Sequence, residues 1–222
     1  MAEVGAGYKG LRTRVTELVT VADPAALESI APATPEWRVR DVLAHLVGVT
    51  ADVLAGNIEG AATDPWTAAQ VDARRSLPVS DLLAEWEAAG PAFDTMLDEL
   101  PFELVGQAMF DAATHEHDVR NALGRPGARD SDAVAFAWQW FVLARPRGGA
   151  PTLQFVTETG EETSGAGDPV ARIEAPRFEL VRAVTGRRTA AEISAFGWDI
   201  EPKPELMLAA SFFTLPTESL NE

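Results

Sequence analysis

The feature that most limits how this chain can fold is an apolar helical stripe broken by charge. Leu104, Ala108, Asp111, His115, Val119 and Leu123 recur at the spacing of one helix face. Asp111 and His115 stand four apart, so on a helix both leave the same side. A buried face does not tolerate such groups without partners. A second stripe repeats the anomaly, because His45 interrupts Val39, Val42, Leu46, Val49 and Val53. Two helices that turn these groups inward could bring His45, Asp111 and His115 together as a three-ligand metal site.

An isolated inward histidine is ordinarily a hydrogen-bonded core residue, and an Asp–His pair can be a neutral couple. Three intrusions near the middle of bundle helices are different, since facing side chains there can converge on one point. His117 lies two residues past His115, and a helix turns it roughly 160° away. That assigns it to a supporting or surface position rather than to the ligand set.

The apolar periodicity predicts a helical bundle. A first helix runs from about 4 to 22 with Leu11, Val15, Leu18 and Val19 inward, and Pro24 follows its end. Residues 31–36, rich in proline, read as a rigid connection. A second helix follows over 38–56 and places His45 inward. Between Gly60 and Pro78 the period weakens, which predicts a loop with one short helix near 68–75 and makes the segment a candidate lid. A third helix starts at Ser80 or Asp81 and closes at Pro101. A fourth spans 103–123 with Gly124 as its terminator, and a fifth covers 133–144. The pattern then switches to alternation over Thr152–Glu158, with a polar turn through Gly160–Gly167 and a partner strand at 170–174. Helices at about 177–184 and 189–196 complete the chain. The fold is therefore read as mainly α, a four-helix bundle over residues 1–148 with a small C-terminal α+β domain over 150–222.

Composition narrows the partners. A formal charge of −16 over 222 residues argues against binding a phosphate backbone or an anionic membrane. The N-terminus has no basic region leading into an apolar run, and the most apolar window, 133–144, is too short to span a bilayer. A cytoplasmic protein is expected. The chain has no cysteine, which excludes disulfides and a protein thiol nucleophile. Thiol chemistry would need a small-molecule thiol. Apolar helix faces beyond those a bundle uses could serve a homodimer.

Two segments carry a family resemblance: Trp37-Arg-Val-Arg-Asp41-Val-Leu-Ala-His45-Leu46, and Asp111-Ala-Ala-Thr-His115-Glu-His-Asp118 continuing to Ala122-Leu-Gly124. They resemble the two metal-bearing segments of the DinB-like superfamily, and more closely its branch of mycothiol-dependent maleylpyruvate isomerase-like proteins. Phe178-Glu-Leu-Val-Arg182, Thr185-Gly-Arg-Arg188 and Trp198-Asp199 resemble the small C-terminal domain that often follows. The resemblance implies metal ligands His45, Asp111 and His115, with Asp111 where the family pattern carries Glu. A carboxylate shorter by one methylene keeps the charge and the oxygen donor but moves the oxygens. Two imidazoles and a carboxylate suit zinc, with nickel, iron or manganese as alternatives decided by geometry and supply. Three protein ligands leave coordination positions open, which favours catalysis.

The implied activity is metal-dependent and mycothiol-dependent, either isomerisation of a small unsaturated acid or thiol transfer to a small electrophile. Other readings are a non-catalytic metal-containing binding or sensor protein, and a metal-dependent hydrolase. Arg120, Arg187 and Arg188 are candidate anchors for a substrate carboxylate, although such arginines are usually structural or solvated. Asp118 is placed to accept a hydrogen bond near the site or to hold Arg120. Trp66, Trp138 and Trp140 could line a pocket, but aromatics at helix spacing are more often core.

Overall fold

The computed structural model describes residues 3–209, 211 and 213–222. They form two compact units that divide after Gly127. In the first, α1 (Val4–Thr20), α3 (Val39–Leu54), α5 (Val79–Glu99) and α6 (Phe102–Ala122) make a four-helix bundle. Helix α1 packs on α5 and α6, and α3 packs on the same two helices from the other side of the ring. The apolar faces that build it meet as Tyr8, Leu11 and Val15 of α1, Val42 and Leu46 of α3, Trp86 and Phe93 of α5, and Met109 of α6, all buried. Burying each large side chain of this kind contributes about 1.5–3 kcal/mol.

The connections place functional residues. After α2 (Pro24–Leu27), residues Ile30–Ala31 (β1) and Thr34–Arg38 (β2) pair antiparallel. The stretch read as a rigid connection is thus a short ribbon, where Pro35 is tolerated because a two-stranded ribbon leaves backbone donors unpaired on its outer edges. The short helix expected near 68–75 within the 60–78 segment is present and begins earlier, as α4 (Asp64–Arg74). Pro65 near its start, Asp64 in its first turn and Arg74 in its last suit a helix. Its apolar period was weak because only Gln70 and Val71 are buried.

Helix α6 departs from its expected stripe. Leu104 is 70% exposed, while Val105, Met109 and Ala112 are buried. The buried face is centred one residue further along, so Asp111 sits at its edge. Gly124 ends the helix as expected, at φ +60, with the Arg125 amide donating 2.9 Å to the Arg120 carbonyl in a left-handed cap.

The second unit contains α7 (Asp132–Ala144), β3 (Leu153–Thr157), β4 (Gly160–Ser164), β5 (Arg172–Glu174), α8 (Arg177–Val184), α9 (Ala190–Ser194) and β6 (Gly197–Trp198). The sheet order is β4-β3-β5-β6. Strand β4 occupies the stretch read as a polar turn and pairs antiparallel with β3. It lacked a strand pattern because four of its five residues are exposed at a sheet edge. Strand β5 also pairs with β3, in parallel. The aromatic helix α7, grouped with the bundle on sequence, packs here against α8 and β4. Trp138 meets Phe155 edge-on at 5.0 Å between ring centroids.

Candidate metal centre

Both sequence motifs resolve into physical parts. Asp41 begins α3: its carboxylate accepts the Arg38 backbone N–H at 3.0 Å and the Arg38 guanidinium at 2.9 and 3.0 Å. Burial alone would raise the Asp41 pKa, but these Arg38 contacts hold it below the usual carboxylate range. One turn on, His45 projects inward, 3% exposed. Trp37 of β2 adjoins both imidazoles with tilted rings, its ring centroid 5.2 Å from His45 and 5.8 Å from His115.

His45, Asp111 and His115 converge. One potential ligand atom from each lies within 4.8 Å of the others. His45 Nε2 is 3.3 and 3.2 Å from the two Asp111 oxygens, and His115 Nε2 is 3.6 Å from Oδ1. A tetrahedral ion with donors at 2.0–2.1 Å sets its donors about 3.3 Å apart, so these separations are near that edge. The imidazoles are almost enclosed, with the His45 and His115 side chains 4% and 11% exposed, while Asp111 is 31% exposed.

The partners of the outer nitrogens decide how the inner ones are presented to Asp111. His45 Nδ1 lies 2.9 Å from the side-chain oxygen of Gln70 on α4. His115 Nδ1 lies 3.0 Å from Oδ2 of the fully buried Asp118. Amide and carboxylate oxygens only accept, so each Nδ1 carries a proton, and a ring with no second proton presents an Nε2 lone pair inward. Two lone pairs and a carboxylate facing one point repel unless a cation joins them. A divalent ion fits this donor set, with His45, His115 and Asp111 as the residues that would hold it. Without an ion, a proton serves. Burial would lower the His45 pKa, but the Asp111 charge, its hydrogen bond and that of Gln70 outweigh burial and raise it.

Beneath the site, Tyr8 is locked. Its hydroxyl is 3.0 Å from Thr50 Oγ1, which accepts from Trp86 Nε1 at 3.0 Å and donates to the Leu46 carbonyl at 3.1 Å. Tyr8 is therefore the donor to Thr50. Burial, with a further push from Asp111, raises its pKa to about 12 against the opposing hydrogen bonds. It stays protonated and is no general base at neutral pH.

Several other expectations resolve. His117 is buried, so its surface alternative is removed. Arg120 is committed to the fully buried Glu116, 2.9 Å away, and Arg14 grips the same carboxylate at 2.8 and 2.7 Å. That leaves Arg120 structural rather than free to anchor a substrate. In the second unit Arg188 pairs with Glu179 and Glu222, each at 2.6 Å, and Arg187 lies over the Phe213 ring. Trp138 is core, Trp66 donates to the Asn57 carbonyl, and Arg147 lies over Trp140. Trp37 and Gln70 were not singled out from sequence. Trp37 stood in the first motif, and Gln70 is the one buried polar residue of α4.

A helical bundle with two histidines and a carboxylate drawn together from facing helices is of the DinB-like class. Residues 8–140 match the mycothiol maleylpyruvate isomerase N-terminal domain, and the chain belongs to that family. The crystal structure of the mycothiol-dependent maleylpyruvate isomerase is similar at 12% identity and a TM-score of 0.60, over 90% of this chain and 94% of that one. A histidine-to-alanine mutant of that isomerase is similar at 11% identity and a TM-score of 0.58, over the same shares of each chain. At these identities the likeness is one of fold. No curated protein matches the chain. Among the described residues, no helix is long and apolar enough to cross a membrane.

Proposed function

We propose that the protein is a divalent-metal-dependent enzyme that uses mycothiol as a thiol cosubstrate, to isomerise a small unsaturated acid or to transfer the thiol to a small electrophile. The observation that carries this reading is the convergence of two imidazole Nε2 atoms and a partly exposed carboxylate on one point. Family membership supports an isomerase-like enzyme. The absence of cysteine supports an external thiol.

When bound, a divalent ion would supply a Lewis acid that lowers the pKa of a thiol or water. Zinc suits the donors best. His45 and His115 hold their Nε2 atoms inward, Asp111 offsets cationic charge, and Trp37 packs beside both imidazoles. In the isomerisation, the thiolate sulfur bonds to one alkene carbon as the π pair moves toward the conjugated carbonyl. The new single bond rotates. The electron pair then returns, the C–S bond breaks and the thiol is recovered. In a transfer, the C–S bond is kept and the electrophile's leaving group or a proton completes the balance.

The test begins with metal content of protein purified without added metal, then a screen of unsaturated acids and electrophiles with and without mycothiol. Bound divalent metal and turnover only with thiol are expected. Turnover in thiol-free buffer would move the protein to a metal-dependent hydrolase, and metal without turnover in either buffer would make it a binding or sensor protein.

A further inference from the structure

We infer that Gln70 is a positioning residue for this centre: through one hydrogen bond it fixes which nitrogen of His45 faces Asp111 and His115, and so makes α4 part of the site. The inference rests on the metal reading above. It begins away from the metal, at Asp52. Gln70 Nε2 lies 2.9 Å from Asp52 Oδ2, and a carboxylate only accepts, so the amide nitrogen must face Asp52. The amide oxygen is then left for His45 Nδ1 at 2.9 Å. The neutral imidazole has one proton, and the Gln70 oxygen at 2.9 Å from Nδ1 is nearer than the Asp111 oxygens at 3.3 and 3.2 Å from Nε2, so the proton goes to Nδ1 and Nε2 is the lone-pair nitrogen. Asp52 orients Gln70, and Gln70 orients His45.

The backbone is built for this approach. His45, Gly48 and Asp52 lie at spacings of three and four on α3, one face of the helix. A Cβ at Gly48 would lie 2.5 Å from the Gln70 Cβ, so the bare backbone there is what lets α4 dock. Glycine costs about 1 kcal/mol relative to alanine inside a helix, a penalty that close packing offsets here. The end of α4 is held separately, by Arg74 to Glu85 of α5 at 2.5 Å. Gln70 is 2% exposed, so water does not readily replace it at His45. A neutral amide also fixes the ring without adding another negative charge to a site that already contains Asp111 and Asp118. Because ion binding and α4 docking both depend on the same imidazole orientation, each favours the other.

The experiment compares wild type, Gln70→Met, Gly48→Ala, and the double variant Gln70→Glu with Asp52→Asn. Zinc affinity is measured by competition with a chromophoric chelator, and the His45 tautomer by 15N NMR on zinc-free protein at a pH where the ring is neutral. Wild type is expected to show the Nδ1–H tautomer. Gln70→Met keeps side-chain length but removes the acceptor, and should mix the tautomers and weaken zinc binding about 10–100-fold. Gly48→Ala should weaken it in the same direction by displacing Gln70. The double variant reverses the polarity of the Asp52–Gln70 contact but keeps an acceptor at Nδ1, and should recover the tautomer and most of the affinity. An Nε2–H tautomer in wild type overturns the inference whether or not any variant folds, as does unchanged zinc affinity in folded Gln70→Met. Failure of wild type to take zinc overturns the underlying metal reading instead, and is visible before any variant is compared.

Discussion

His45 and His115 turn the same nitrogen toward Asp111, yet they are held from opposite directions. His115 leans on Asp118, a charged acceptor three residues along its own helix. His45 leans on Gln70, a neutral acceptor 25 residues away on a different helix. The His115 support forms whenever α6 forms; the His45 support exists only after α4 has packed on α3. One half of the site is thus organised by secondary structure and the other by tertiary structure. The half built across helices is the half that a change in packing disturbs first.

Removing the imidazoles themselves should erase the contrast. His45→Ala and His115→Ala should each weaken metal binding by more than the roughly 10–100-fold that a supporting partner carries, with helical circular dichroism retained. Full metal occupancy in either variant, read by elemental analysis, would break the ligand assignment on that side.

Asp118→Asn should separate the two sides. The His115 Nδ1–H keeps an oxygen acceptor but loses its charge, so zinc affinity should fall about tenfold and unfolding stability by about 1 kcal/mol. The His45 tautomer should not change. A shift at His45 as large as at His115 would mean the two supports are not independent.

The smallest effect on the metal is expected from Asp41→Ala, which alters the start of α3 but not the donors. Loss of the cap should cost about 1 kcal/mol in urea unfolding at neutral pH, with zinc affinity nearly unchanged. The pH dependence has a definite sign. The folded pKa of Asp41 is lowered, so its stabilisation is complete above the unfolded value of about 3.9 and is lost as pH falls through the folded value. The stability gap between wild type and variant should therefore narrow in acid; a gap that widens would contradict the Arg38–Asp41 contact.

These two supports also mark what sequence could reveal. Asp111 and His115 were legible because helical spacing places them on one side, and His45 because it interrupts an apolar run. The bundle helices were legible for the same reason. Gln70 was not, since its partner lies on another helix and α4 shows little apolar period with so few buried positions. Trp37 was visible in its motif, but its place beside both rings depends on the β1–β2 ribbon, which proline concealed. The shifted face of α6 has a similar cause: anchoring the stripe on Asp111 drew in Leu104, while the bundle buries Val105 and Met109 instead. Strand β4 was hidden because an exposed edge strand need not alternate.

The uneven enclosure of the three donors has a kinetic consequence. Water and chelators reach the half-exposed Asp111 before either imidazole. For an ion held here, the carboxylate would be the first ligand solvated on departure, with the paired rings left in place. For such an ion, residence time and affinity would then be governed by different residues: the first by the more exposed Asp111, the second by how firmly Gln70 and Asp118 hold the rings.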